Sequence, residues 1–301
     1  MARKNANMLH NVDGNTQATL QAKTGESIMV KSVKIFNPAT NYATLSIEKT
    51  TVGFFRVGGV LGNHLNYPSG GILNALNLLD YLFLNEIFKG YPVAEGETFK
   101  IDNVHQAGSR VTIIYDLYDA GDIVSTEENG SRATDYFYMN YGNLGGAITT
   151  AGEKLLTTTL NPSEFTSFPF DDDVPAKQSI QLFGITASEH GCGAAGPTDN
   201  LGSTYLKFVK ERTVLFDEEK NGIILYKDAS ALVADAIGGG QSLIGNNSDT
   251  DPRRLYMLDE PMTFQSGEEL NIYIAYDGLV GTPSIGIDQQ EIGLILKSGR
   301  E

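Results

Sequence analysis

Four histidines and one cysteine are the side chains best suited to nucleophilic or proton-transfer chemistry in this chain. His10, His64, His105 and His190 stand apart, and only His190 has a nucleophile beside it, in His190-Gly191-Cys192. Neighbouring positions in a glycine-rich stretch do not fix the geometry of a nucleophile and its base. No Gly-x-Ser-x-Gly turn frames a serine, so the elbow of acyl transfer is missing. Gly191, Gly193 and Gly196 spell Gly-x-Gly-x-x-Gly after the apolar run 180–185. A dinucleotide site also needs a helix opening there, to aim backbone amides at the pyrophosphate. Pro197-Thr198-Asp199-Asn200 follows instead, then a strand pattern, so a loop is expected. A single cysteine excludes an intrachain disulfide and a Cys-rich zinc site.

Two acidic stretches have the oxygens a hard cation takes. Asp171, Asp172 and Asp173 are consecutive, and Asn247, Asp249 and Asp251 alternate. Pro252 stands where a calcium loop would turn on glycine, and Leu258 stands at the place of its closing glutamate. These six residues are the calcium candidates, with solvated acidic loops as the expectation and no other cofactor. A glycosidase needs two carboxylates across a cleft, and 37 acids offer too many pairs to single one out. With no tryptophan, the chain lacks the usual sugar platform. A non-enzymatic protein is expected.

Those acids face only 22 basic residues, a net charge of −15, which repels nucleic acid and argues against sequence-specific binding to it. The basic start, Arg3 and Lys4, is the exception, and Lys297 to Glu301 is weakly similar. No apolar run approaches the ~20 residues of a membrane span. Residues 1–15 are mainly polar and hold no apolar h-region, so no secretory signal is expected.

What would position such residues is a framework of strands. Residues 27–36 are rich in β-formers and close at Pro38, while 44–49 and 207–216 alternate apolar with polar. Alternation puts one face on a core and one in water, as antiparallel sheets allow. Helical spacing occurs only at 72–84 and 229–237. Two helices in 301 residues are too few for an α/β fold. The stretch 161–175 holds Pro162, Pro169 and Pro175 and is expected to be a linker.

The halves on either side resemble each other. Ser27-Ile28-Met29-Val30 and Ser179-Ile180-Gln181-Leu182 lie a constant 152 positions apart. Each half then has a charged strand, a turn and an apolar strand (45–49 with 52–57, and 206–216 with 222–226), then its helix. A proline-led turn follows, with Gly96-Glu97 before Phe99 and Ile101, and Gly267-Glu268 before Leu270 and Ile272. Each half finishes on Tyr-Asp, at Tyr115-Asp116 and Tyr276-Asp277. The expected organisation is an arm at 1–16, one domain at 17–160, the linker at 161–175 and a second domain at 176–301.

About eight strands and one inserted helix per half fit an all-β fold of two tandem jelly rolls. In this the chain resembles the double jelly-roll major capsid proteins of tailless icosahedral viruses, by architecture over nearly its whole length. The resemblance implies homotrimers with a pseudo-hexagonal outline, built into a shell with neighbouring capsomers, penton and minor capsid proteins. It also implies location in the virion, assembled in the host cytoplasm. Arg3 and Lys4 would then face an inner membrane or a genome. The alternatives are a carbohydrate-binding or adhesion protein of two β-sandwiches, a spike or tail protein of a virion, and a duplicated cupin-like barrel, whose His and Glu ligands this sequence scatters too widely.

Overall fold

The computed structural model describes residues 3–13, 17–37, 42–57, 65, 77–102, 106–124, 127–128, 131–132, 136–143, 152–159, 161, 165–170, 172–187, 203–216, 223–224, 256–276 and 292–300. Two compact units divide the chain, Met1–Tyr138 and Met139–Glu301.

The first unit has eight main strands: β1 (Arg3–Asp13), β2 (Ala18–Gln21), β3 (Glu26–Phe36), β4 (Tyr42–Ile47), β5 (Thr50–Arg56), β6 (Tyr91–Val93), β7 (Thr98–Asp102) and β8 (Arg110–Asp119). They form two antiparallel sheets, ordered β1-β8-β3-β6 and β2-β7-β4-β5. Successive strands switch sheets, except across the β4–β5 hairpin, which is jelly-roll winding. Strands β2 and β7 alternate between more and less buried residues, so each turns one face to a core and one outward. Ile28, Val30 and Ile113 from one sheet and Leu45, Phe99 and Ile101 from the other are at most 1% exposed. Tyr91 stacks on Phe99 with centroids 5.7 Å apart. Burial pushes the Tyr91 hydroxyl far up, so it stays protonated and donates to the Phe137 carbonyl at 3.3 Å. One helix, α1 (Leu78–Leu84), connects β5 to β6, and Asn77 Oδ1 caps it by accepting the Asp80 N–H at 3.0 Å. A small hairpin of β9 (Glu127–Glu128) and β10 (Ser131–Arg132) follows β8.

The second unit repeats the winding. Its strands are β11 (Tyr136–Asn143), β12 (Gly152–Leu155), β13 (Thr158–Thr159), β14 (Gln178–Ala187), β15 (Ser203–Lys210), β16 (Thr213–Phe216), β17 (Ile223–Ile224), β18 (Tyr256–Phe264), β19 (Leu270–Tyr276) and β20 (Ile292–Arg300). The orders β11-β20-β14-β18 and β12-β19-β15-β16 match those of the first unit strand for strand. Two pieces are added: β13 lies outside β11, and β17 pairs with β15. The fold is therefore all-β, one jelly roll used twice.

The likeness reaches individual atoms. The third strand of each unit carries a register shift at the same place, Val30/Ser32 and Leu182/Gly184, which are 152 positions apart. The turn before strand seven is built alike. Glu97 accepts the Ala94 N–H at 2.9 Å, and Glu268 accepts the Gln265 N–H at 2.8 Å. Gly96 and Gly267 take φ of 84° and 80° there, a conformation that favours glycine. Their amides bond Ala22 and Val174, which stand just ahead of the third strands. The hairpin between strands four and five turns on Glu48 in one unit and Glu211 in the other, at φ of 53° and 55°. Both carboxylates accept a backbone N–H near the start of strand seven, from Thr98 at 2.6 Å and Glu269 at 2.8 Å. Replacing Glu48 with alanine keeps the positive φ and loses the bond, so the chain is expected to lose about 1–2 kcal/mol in a urea titration.

Several expectations change. The division between units falls inside β11, so 139–160 belongs to the second jelly roll and supplies its first two strands. The stretch 161–175 lies within that unit, because the missing first strands had to come from before it. The arm at 1–16 is strand β1 over Arg3–Asp13, and the basic end 297–300 belongs to β20. The alternating run 207–216 is two strands, since Glu211-Arg212 turns it back on itself. The partner of 52–57 is thus β16, not 222–226. The two Tyr-Asp endings are not equivalent either: Tyr115-Asp116 lies in the eighth strand and Tyr276 in the seventh. The helix expected at 72–84 is formed over Leu78–Leu84, with 72–76 outside the described residues. The helix expected at 229–237 also lies outside them.

Candidate functional site

Of the two side chains that the sequence marks for an anionic layer, Arg3 and Lys4, the first is positioned by a buried carboxylate. Asp116 sits on β8 with its side chain 6% exposed. Its Oδ1 accepts from Lys31 Nζ at 2.7 Å and from the Asn7 N–H at 2.8 Å, and its Oδ2 lies 3.2 Å from Arg3 Nη1. Lys31, itself 9% exposed, also donates to Asn7 Oδ1 at 2.5 Å and stands 5.5 Å over the Phe83 ring of α1. Asn7 has φ of 53°, which its short polar side chain tolerates. Burial pushes the Asp116 carboxyl up, but the Lys31 bond, the Asn7 amide, the Lys31 charge and the Arg3 bond together outweigh it and hold it below its ordinary value. The cluster fastens the start of β1 to β3 and β8. Lys4 lies 3.4 Å from Asp119, in the open.

Strand β1 is the outer strand of its sheet. Eight of its eleven residues are exposed, including Leu9 at 60%. Its first half is irregular, with register shifts at Arg3/Asn5 and Asn5/Met8, and its second half, from Met8 to Asp13, pairs regularly. His10 Nε2 lies 2.9 Å from the Thr19 carbonyl oxygen.

The same edge in the second unit is covered. Strand β13 pairs along β11, and the chain then continues as a strap against that strand. Asn140 of β11 is wholly buried and donates Nδ2 to the carbonyls of Ser167 at 3.0 Å and Phe168 at 2.5 Å. Its Oδ1 accepts from Thr159 Oγ1 at 3.0 Å. Phe165, Phe168 and Phe170 of the strap are all buried, and Phe168 meets the Phe264 ring at 5.2 Å. Gly142 is required where Phe170 crosses it, because a Cβ there would come within 2.4 Å of the ring. Pro169 and Pro175, which suggested a free linker, therefore stand among the buried Phe168, Phe170 and Val174 of a packed segment, and Pro162 lies outside the described residues. In the first unit the same connection is only residues 22–25, too short to make a strap.

Of the calcium candidates, Asp172 and Asp173 are exposed, and Asp172 Oδ1 accepts the Asp173 N–H at 2.9 Å. Asp171, Asn247, Asp249 and Asp251 lie outside the described residues, as do His64, His105, His190, Cys192 and the glycines 191–196. Among the described residues no three His, Cys, Asp or Glu side chains gather where a metal could bind. The residues that organise the site, Lys31, Asp116 and Asn140, were not among the candidate site residues of the sequence, and Asp116 stood out there only as part of the Tyr115-Asp116 match. Their signal is a charge or amide inside an otherwise apolar run, as Lys31 stands between Val30 and Val33.

No family model matches the sequence, and no curated protein does. Among solved structures, the major capsid protein P2 of bacteriophage PM2 is similar at 12% identity, over 99% of this chain and 96% of that one, with a TM-score of 0.42. An IolB-like protein of Salmonella typhimurium is similar at 7% identity, over 97% and 82%, with a TM-score of 0.16. Neither likeness is close enough to carry weight, and the fold rests on the strand order itself.

Proposed function

We propose that this chain is the major subunit of a virus shell, a non-enzymatic protein whose copies form pseudo-hexameric trimers and tile an icosahedral capsid. The observation that carries this reading is the tandem repeat of one jelly roll with the same strand order and the same turn chemistry. Two like units per chain give a trimer six like lobes, which fill a hexagonal place in a shell. The contacts of a three-fold ring are heterologous and close on themselves. Obligate contacts of that kind bury roughly 2,000 Å² or more. Penton and minor capsid proteins are further partners, and the virion is the place of action. Arg3 and Lys4 keep about half their side-chain surface in water, 53% and 50%, and so remain available to an anionic membrane or genome.

Light scattering at micromolar concentration tests the reading. The expected species has three times the 32.6 kDa mass of the chain, or forms larger shells. A stable monomer under those conditions overturns it.

A further inference from the structure

The two jelly rolls share a winding but not their edges. At the first strand of the second unit β13 pairs with Gly142 and Asn143 and the strap bonds Asn140, while β1, its counterpart, is the outermost strand of its sheet among the described residues. At the other end of the equivalent sheet in the second unit, β18 is the outer strand. Its pairing jumps from Met257 opposite Gly184 to Met262 opposite Leu182. Leu258, Asp259, Glu260 and Pro261 bulge out between them, the last three exposed.

We propose that the outer edge of β1 in one copy and the acidic bulge of β18 in a second copy are the two halves of one head-to-tail contact. This rests on the reading that copies of the chain assemble. A chain of net charge −15 repels its own copies at long range, so a contact between copies has to set positive against negative locally. Arg3 and Lys4 stand half in water at the start of β1, and Asp259 and Glu260 are the exposed charges of the bulge. Leu9 on one side meets half-buried Met257, Leu258 and Met262 on the other, which adds apolar area. Pro261 and the bulge on β18, and the two register shifts on β1, prevent a continuous ladder. The contact is therefore made by side chains and stops at one copy per edge, instead of growing as an open sheet. Unlike surfaces joined in this way close as a ring or run on as a filament.

A charge exchange tests the contact. Lys4→Glu alone and Glu260→Lys alone are each expected to weaken association by about tenfold or more, read as mass against concentration in light scattering. The two substitutions together are expected to restore it, because the reversed pair then sits beside the unchanged Arg3 and Asp259. Far-UV circular dichroism of each variant checks that the strands are intact. If the native chain assembles and none of the variants alters that, this contact is wrong and the shell reading stands. If both partial variants lose assembly and the combination does not regain it, the contact is likewise overturned. A native chain that stays monomeric overturns the shell reading and this contact with it.

Discussion

Replacing Asp116 with asparagine lowers the stability of the chain by about 3–5 kcal/mol, the cost of stranding a buried charge. Lys31, 9% exposed, loses its counter-charge and keeps neutral partners, the new amide oxygen, the Asn7 side chain and the face of Phe83. A variant carrying both Asp116→Asn and Lys31→Met removes both charges and is expected to recover most of the loss, since a buried pair exchanged for apolar groups is often neutral. Comparing the single and double variants by urea titration separates a stranded charge from a simple packing defect. Hydrogen exchange gives the local readout: β1 loses protection in Asp116→Asn, because Arg3 and the Asn7 amide are held by that carboxylate. The pH dependence has a fixed sign. The folded carboxyl lies below its unfolded value, so its contribution is complete above the ordinary carboxylate range and is lost as the pH falls through it. The native protein therefore loses stability below about pH 4, and Asp116→Asn lacks this component. A single variant within ~0.5 kcal/mol of native would show that the cluster contributes nothing.

How far the sequence reveals this fold depends on where the information lies. The jelly-roll repeat was legible through turn chemistry, because Gly96-Glu97 and Gly267-Glu268 use a positive-φ glycine and a carboxylate accepting a backbone amide. Local chemistry of that kind is written in a few adjacent residues. The matched 152-residue offset held for the third strands and their register shift. The boundary between units was not legible, because the second unit starts at strands whose buried faces do not alternate. Along β11, Phe137, Tyr138, Met139, Asn140 and Tyr141 are all buried, with Asn140 under the strap. A strand covered on both faces has no period-two pattern to find. Tyr115-Asp116 and Tyr276-Asp277 misled for the opposite reason: a two-residue match carries no strand pairing. The clamp on β1 was hidden because its members, Arg3, Asn7, Lys31 and Asp116, come from three strands that only the winding brings together.

Phe168→Ala distinguishes a packed strap from a linker more sharply than any change on the strands. A linker phenylalanine in water would cost within ~0.5 kcal/mol when truncated. Phe168 is wholly buried, with its ring 5.2 Å from that of Phe264, so its removal opens a cavity and is expected to cost about 3–5 kcal/mol. The loss would spread beyond the ring. Asn140 holds the strap through the carbonyls of Ser167 and Phe168, and a strap that drifts leaves the Nδ2 donors of that buried amide without acceptors. Hydrogen exchange should accordingly rise along β11 and at the end of β18 where Phe264 sits. Asn140→Leu offers a check that leaves the aromatic cluster intact. It removes the hook, leaves the buried Phe168 carbonyl short of a donor while the Ser167 carbonyl keeps the Phe170 N–H, and is expected to cost about 1–3 kcal/mol with the same pattern of exchange. If Phe168→Ala unfolds at the native urea midpoint, 161–175 is a linker after all, and the second jelly roll stands without it.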